Sequence, residues 1–222
     1  MSFVAQLISS FENHRNEANA IPMRAYMKHK FAFFGIKSML RKSLLREVVN
    51  ANKGEVKSNL TEISKTLFKK PERELHYCAM EIYARFKKRH YIKSDIMFIE
   101  FLITENSHWD TVDFIAKHIL GQFLMELPEM RDEVIQKYST DDNMWLNRSA
   151  ILFQLGYKEK TDFSILSNLA IMHKDSNEFF IKKAIGWALR EFAKYNSYAV
   201  INFVESTDLK PLSKREALKH FR

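Results

Sequence analysis

A core pattern that recurs about every 35 residues constrains the fold of this chain more than any other feature. Positions spaced 35, 36 and 35 residues apart hold Glu74, Trp109, Trp145 and Phe180. Five positions further on stand the residues Ala79, Phe114, Ala150 and Ile185. Each period has room for two helices, so the repeat predicts antiparallel helix pairs stacked in a superhelical solenoid of HEAT-like or armadillo kind. Such a stack curves and offers a concave groove lined by one helix of each pair.

The rest of the sequence is also typical of helices. Its 222 residues include 5 Gly and 4 Pro, no stretch alternates cleanly between apolar and polar residues, and no Asn-Gly hairpin turn is present. The sequence therefore predicts an all-α protein, and the lack of a Pro/Gly/Ser linker predicts a single domain over residues 1–222. The apolar periodicity and the capping residues place helices at about 2–15, 19–34, 41–50, 55–68, 71–88, 92–105, 108–126, 128–138, 142–156, 162–173, 176–196, 197–205 and 212–221.

The chain is basic, with a formal net charge of +8 and an isoelectric point near 9.4. This charge favours polyanionic partners, with nucleic acid first and an anionic membrane surface second, although a solvated basic surface without a partner is the alternative. The single cysteine, Cys78, excludes an internal disulfide and a cysteine-based zinc cluster. Without a signal-peptide pattern or an apolar run of about 18 residues, we expect a soluble, cytoplasmic protein.

One carboxylate does not fit the repeat. Four positions after the aligned aromatic residues, the repeat holds Cys78, Asp113, Ser149 and Ala184. Small residues at this position let neighbouring helices approach, so Asp113 breaks a packing pattern, and such breaks often mark functional residues. Trp109 lies one helical turn before Asp113 on the same face. The structural alternative is a partly exposed Asp113 paired with a nearby Lys or Arg, and the pattern alone leaves both interpretations open.

A second candidate surface follows the helix predicted at 176–196. Opposite its apolar face, a continuous stripe holds Lys183, Trp187, Arg190 and Lys194. A tryptophan among three cations is unlike a core residue, so we favour a ligand-facing role for Trp187, whereas Trp145 beside Leu146 fits the core. Basic side chains interleaved with aromatic ones are typical of nucleic-acid binding. A membrane helix would keep a broad apolar face free, and these helices use theirs on one another.

The usual enzyme motifs are missing. The sequence has no phosphate-binding glycine loop, no Gly-x-Ser-x-Gly turn and no His-Glu-x-x-His motif, and its eight histidines show no metal-ligand spacing. We read these histidines as surface or core residues. No cofactor and no metal are expected.

Three central stretches carry a resemblance to a known family: WDTVD at 109–113, DNMWLNRSAILFQL at 142–155 and FFIKKAIGWALRE at 179–191. They resemble the AlkD family of bacterial DNA glycosylases for alkylated bases. PLSKREALKH at 211–220 resembles the last helix of that family, and PMRAYMK at 22–28 resembles its second helix. The loop 35–41 departs from the Thr-Pro helix start that is more common in the family. The similarity spans essentially the whole chain.

The resemblance implies a HEAT-like solenoid whose concave face grips duplex DNA. It implies an enzyme that excises N3- and N7-alkylpurines, such as 3-methyladenine and 7-methylguanine, without flipping the base into a pocket. We expect the protein to be a monomer. At the matching positions, Trp109, Asp113 and Trp187 would surround the damaged nucleotide. Arg148 would hold the DNA backbone and Tyr26 would help to position the lesion. Together with the basic residues of the sequence, the expected DNA-binding set is Arg148, Tyr26, Lys37, Lys183, Arg190 and Lys194.

The chemistry expected of such a site needs one acid. A cationic base is already a good leaving group, while the deoxyribose becomes positively charged as the glycosidic bond breaks. A carboxylate at Asp113 would stabilise that charge and orient water, and the indoles of Trp109 and Trp187 would add cation–π attraction. The main alternative is a non-catalytic HEAT-repeat protein that binds damaged or branched DNA, and a third is a protein–protein scaffold.

Overall fold

The computed structural model describes residues 1–221, and over that range the chain is helical and forms no β-sheet. The all-α prediction is confirmed. By their internal contacts the residues fall into two compact units, one over residues 1–90 and the other from Tyr91 onward. The assignment of one domain to residues 1–222 stays a prediction. No helix within residues 1–221 has the length and apolar character needed to cross a bilayer.

The first unit contains six α-helices. They are α1 (Phe3–Asn13), α2 (Glu17–Tyr26), α3 (Ser38–Ala51), α4 (Lys53–Ser58), α5 (Leu60–Phe68) and α6 (Arg73–Lys87). α1 buries Phe3, Leu7 and Phe11, which recur every four residues and so share one face of the helix. That face packs on α3 and α5, while α5 lies along α6. The core of this unit is therefore built from apolar stripes that the sequence already showed.

The largest departures from the predicted bounds in this unit concern two helices, while α3 begins at Ser38, three residues earlier than expected. The helix expected at 19–34 ends at Tyr26, because Lys28 and His29 adopt left-handed backbone angles (φ 52° and 58°) that stop a right-handed helix. The helix expected at 55–68 is two helices that meet at Asn59, where φ is −123°. Neither Gly nor Pro marks these positions, so the pattern of punctuating residues did not reveal them.

A buried carboxylate fixes the non-helical segment that follows α2. Glu74, in the first turn of α6, is 2% exposed and accepts hydrogen bonds from three consecutive backbone amides: Phe34 (3.2 Å), Gly35 (2.9 Å) and Ile36 (3.1 Å). Gly35 has φ +85°, and a Cβ atom there would lie 2.0 Å from the Asn16 carbonyl oxygen. Burial raises the pKa of Glu74, while the backbone hydrogen bonds act in the opposite direction.

The second unit contains the remaining helices within the described residues. They are α7 (Asp95–Thr104), α8 (Trp109–Ile115), α9 (Gly121–Glu126), α10 (Arg131–Thr140), α11 (Met144–Leu152), α12 (Phe163–Met172), α13 (Phe179–Ala193), α14 (Ser197–Ser206) and α15 (Pro211–Ala217). A π-helical turn at Ala116–Leu120 joins α8 to α9, and short 3-10 turns occupy Pro128–Met130 and Lys158–Lys160. The single helix expected at 108–126 is therefore interrupted by a wider turn.

The helices of this unit pack as the repeat predicts. α7 contacts α8, α10 contacts α11, α12 contacts α13 and α14 contacts α15, which gives successive helix pairs. One helix of each pair also contacts its counterpart in the next, in the order α8, α11, α13 and α15. We call these four helices the inner row. The aligned aromatic residues Trp109, Trp145 and Phe180 all lie in the first two residues of an inner-row helix.

Replacing Glu74 by Ala should lower the free energy of unfolding by about 3 kcal/mol, because three buried amides would lose their acceptor. Urea unfolding followed by circular dichroism measures the change. The matched control is Glu47→Ala, which removes an exposed acid from α3 and should change stability by less than about 0.5 kcal/mol. Equal stabilities of the two variants would contradict the anchoring role of Glu74.

Candidate functional site

A bidentate ion pair between Asp113 and Arg148 joins two neighbouring helices of the inner row. Arg148 Nε donates to Asp113 Oδ1 at 2.7 Å, and Arg148 Nη2 donates to Oδ2 at 2.9 Å. The remaining terminal nitrogen, Nη1, donates to the Phe180 carbonyl oxygen in the first turn of α13. One guanidinium on α11 thus contacts α8 on one side and α13 on the other.

The two partners differ in their access to solvent. The Arg148 side chain is 5% exposed, whereas 15% of the Asp113 side chain is exposed. Burial raises the pKa of the Asp113 carboxyl above its ordinary value, the adjacent guanidinium of Arg148 acts against that rise, and Asp110 adds to it. The Asp113 carboxylate is therefore partly accessible to solvent, and the buried guanidinium of Arg148 fixes its orientation.

This geometry bears on the role expected of Arg148, which stays a prediction. The sequence assigned Arg148 to the DNA backbone, but the structure buries it and commits its guanidinium to Asp113 and Phe180. The reason is that Arg148 lies on the side of α11 that faces α8 and α13. The structure also gives Asp113 the partner that the structural alternative required, a partly exposed aspartate paired with an arginine.

Aromatic rings surround the start of the inner-row helices. His108, which is 5% exposed, packs against the rings of Trp109, Trp145 and Phe180, with centroid distances of 6.3, 5.9 and 5.8 Å. Trp145 lies 5.1 Å from Phe180. The sequence analysis expected the histidines to be surface or core residues, and His108 is a buried residue at the centre of this cluster. Trp109, which lies on the same face of α8 as Asp113, is partly exposed.

The predicted cationic stripe lies along α13, but an acid from α15 pairs with two of its cations. Glu216 forms ion pairs with Lys183 Nζ at 2.9 Å and with Arg190 Nη1 at 3.0 Å. Both contacts lower the pKa of Glu216, and the hydrogen bond from Lys183 has the larger effect. Lys194 pairs with Glu191 at 2.7 Å on its own helix. Since Lys183, Arg190 and Lys194 all have acidic partners, the stripe is less positive than the sequence suggested. A single-helix pattern cannot show an acid brought by another helix.

The partly exposed Trp187 lies between Lys183 and Arg190 on α13, next to Gly186. A Cβ atom at Gly186 would lie 2.4 Å from Glu216 Cβ and 2.7 Å from the Ser213 carbonyl oxygen. α15 therefore packs directly on the α13 backbone beside Trp187. The close contact and the two ion pairs of Glu216 together fix the face of α13 that carries this indole.

The remaining predicted residues belong to the first unit. Tyr26 is the last residue of α2 and is 72% exposed, and Lys37 is exposed immediately before α3. Both side chains are accessible to a ligand. The structure therefore brings together Asp113 and Arg148 in the second unit, and places Lys183, Trp187 and Arg190 on one face of α13.

The chemistry available at Asp113 is that of a fixed negative charge. The carboxylate is oriented by two hydrogen bonds, is partly shielded from water and lies on the same helix as an accessible indole. Such a group can stabilise a positive charge that develops beside it, and the indole face can add cation–π attraction. Within residues 1–221 no group of three or more His, Cys, Asp or Glu residues is arranged to hold a metal ion.

Comparison with known proteins connects this chain to a family of DNA repair enzymes. The profile of a family described as DNA alkylation repair enzyme matches residues 7–221. A solved structure described as a predicted DNA alkylation repair enzyme from Enterococcus faecalis superimposes with a TM-score of 0.84 and 29% sequence identity, covering 93% of this chain and 96% of its own. A protein from Streptococcus mutans UA159 shares the fold, with a TM-score of 0.61, 14% identity and coverages of 81% and 90%. No curated protein matches the chain significantly.

Replacing Gly186 by Ala should destabilise the protein by about 2 kcal/mol, because the added methyl group meets backbone atoms of α15. The matched control is Gly54→Ala in α4, where an added Cβ atom meets nothing within 4 Å. Alanine is the better helix former, so Gly54→Ala should be neutral or stabilise the protein by up to about 1 kcal/mol. Urea unfolding of both variants measures the difference, and a Gly186→Ala variant as stable as the wild type would refute the close contact.

Proposed function

Because this chain belongs to the family of DNA alkylation repair enzymes, we propose that it is a DNA glycosylase of base excision repair. Its substrate is duplex DNA that carries a cationic N3- or N7-alkylpurine, such as 3-methyladenine or 7-methylguanine. The reaction hydrolyses the N-glycosidic bond between that base and its deoxyribose. The observation that supports this proposal best is the oriented, partly exposed carboxylate of Asp113.

The substrate's own charge explains why one acid is enough. Alkylation at N3 or N7 makes the purine a cation, and it departs as a neutral base without being protonated by the enzyme. As the bond to C1′ breaks, the positive charge moves to the sugar. A carboxylate close to C1′ stabilises that charge and can orient the attacking water. Asp113 is the residue proposed for this role.

Arg148 acts on the reaction through Asp113. Its two hydrogen bonds hold both carboxylate oxygens in place, so the carboxylate loses little freedom when a positive charge develops near it. The cation also favours the ionised form of Asp113 against the effect of burial. In this proposal Arg148 is a positioning residue rather than a contact to the DNA backbone.

The aromatic residues of the second unit complete the proposed site, and exposed side chains of each unit are suited to contact the DNA. Trp109 and Trp187 offer partly exposed indole faces, which attract a cationic base or sugar and do not require the base to leave the duplex. Tyr26, Lys37 and Lys194 are exposed side chains suited to contact the DNA. Lys183 and Arg190 share Glu216, so we expect weaker phosphate contacts from them.

A second function has an observation in its favour. The ion pair with Arg148 would also hold α8 against α11 in a protein without catalytic activity, and Asp113 would then be structural. In that case the chain is a HEAT-repeat protein that binds damaged or branched DNA. Both functions require salt-dependent affinity for DNA, and they differ in the release of the base.

The release of 7-methylguanine from duplex DNA tests the proposed activity. The wild type should release the base, and Asp113→Asn should slow the single-turnover reaction by about 10²-fold or more, because the variant loses the negative charge at the sugar. The matched control is Asp110→Asn, which removes an acid from the first turn of the same helix and should react at a rate near that of the wild type.

Circular dichroism and affinity for undamaged duplex DNA show whether the Asp113 variant remains folded. Base release by a folded Asp113→Asn protein at the wild-type rate would remove Asp113 from the chemistry. A wild type that binds the duplex but releases no base would support the non-catalytic alternative.

The pH dependence of the rate tests the role of Arg148. Asp113 must be ionised to act, so the rate should fall as the pH falls through the pKa of Asp113. Replacing Arg148 by Gln removes the group that opposes the rise in this pKa, so the acid limb of the profile should move to higher pH. Arg148→Lys keeps a positive charge and should give an intermediate profile. An acid limb at the same pH in all three proteins would contradict the positioning role.

A further inference from the structure

A basic cleft in the first unit lies outside the site described above. It has a volume of about 740 Å³ and is bordered by the end of α4, the start of α5 and the end of α6. We propose that this cleft binds the phosphate groups of duplex DNA and so adds affinity without taking part in base release. The inference rests on the proposed function, because it takes the polyanion to be the same DNA.

The charge of the cleft is strongly one-sided. Its basic lining residues within the described chain come from two separate segments: Lys53, Lys57, Arg85, Lys87, Lys88 and His90. The lining includes one acid, Glu62. Like charges gathered from α4 and α6 repel one another, so this arrangement costs stability unless an anion offsets it. Such a potential favours a ligand with several negative charges.

Four cations of the cleft are available to a ligand. Lys53, Lys57, Arg85 and Lys88 are exposed, and among residues 1–221 none of these four forms an ion pair. Three inner-row cations expected to bind DNA behave differently, since Arg148, Lys183 and Arg190 have acidic partners. The cleft therefore offers unpaired cations, whereas those predicted on the α13 stripe are paired with acids.

The shape of the cleft suits a nucleic-acid strand better than a small anion. It is open to solvent, and among the described residues that line it no polar side chain is buried. Arg85 Cζ lies 5.6 Å from the centre of the Phe86 ring, and the half-buried Phe86 also lines the cleft. Flexible exposed lysines around an open surface are typical of contacts to a phosphodiester backbone, which fix no base sequence.

The test is the salt dependence of binding to an undamaged duplex of 20 base pairs, measured by fluorescence anisotropy on the full chain. The double variant Lys57→Gln/Arg85→Gln should reduce the slope of log K against log salt by about 1 to 2, and weaken binding roughly tenfold near 0.1 M salt, since each lost phosphate contact removes about 0.9 from the slope. The matched control, Lys158→Gln/Lys160→Gln, removes the same charge from exposed lysines outside the cleft and should keep the wild-type slope.

Base release at saturating enzyme separates binding from chemistry. The cleft variant should release 7-methylguanine at the wild-type single-turnover rate once all the DNA is bound. A slope and affinity equal to those of the wild type or of the control would overturn the inference. A loss of affinity for duplex RNA but not for duplex DNA would overturn it too, since the cleft would then serve another polymer.

These results are distinguishable from a failure of the proposed function. If the wild type releases base and the cleft variant binds DNA normally, only the cleft inference fails. If the wild type shows no salt-dependent binding to DNA, the inference and the proposed function fail together.

Discussion

The carboxylate of Asp113 and the guanidinium of Arg148 share a largely buried space in the second unit, and the proposed chemistry depends on that contact. Placing two charges away from water is costly, and the pair is stable because its geometry is bidentate and Nη1 has a third acceptor on Phe180. Removing either partner would leave the other charge buried without a counter-ion and would lower the free energy of unfolding by about 3–5 kcal/mol. One ion pair therefore both supports three adjacent helices and fixes the negative charge assigned to the reaction.

Two other acids, Glu74 and Glu216, fix segments that carry exposed side chains. Glu74 accepts three backbone amides and so fixes the segment between Tyr26 and α3. Glu216 fixes the face of α13 around Trp187 through Lys183 and Arg190. Glu216 neutralises positive charge that the sequence analysis had assigned to a ligand. The basic cleft of the first unit, in contrast, is lined by exposed cations that form no ion pair within residues 1–221.

Much of the fold was predictable because apolar side chains recur with the period of a helix and, over a longer range, with the period of a helix pair. The row formed by Trp109, Trp145 and Phe180 follows directly from that repeat. The pattern alone also identified Asp113 as a candidate functional residue, because it does not fit the repeat. The partners of the charged residues were not predictable, because Arg148 meets Asp113, and Lys183 meets Glu216, across more than 30 residues of sequence. The end of α2 was missed because ordinary residues, Lys28 and His29, adopt the left-handed conformation there.

The claim that Asp113 faces a sugar that turns positive can be tested without any reaction. A duplex in which a protonated pyrrolidine replaces one deoxyribose carries the charge of the reacting sugar, and a neutral tetrahydrofuran at the same position is its matched reference. Equilibrium binding of both duplexes to the wild type and to Asp113→Asn measures the preference for the charge. We expect the wild type to bind the cationic duplex more tightly than the neutral one, and Asp113→Asn to lose that preference. Equal preference in both proteins would contradict the account.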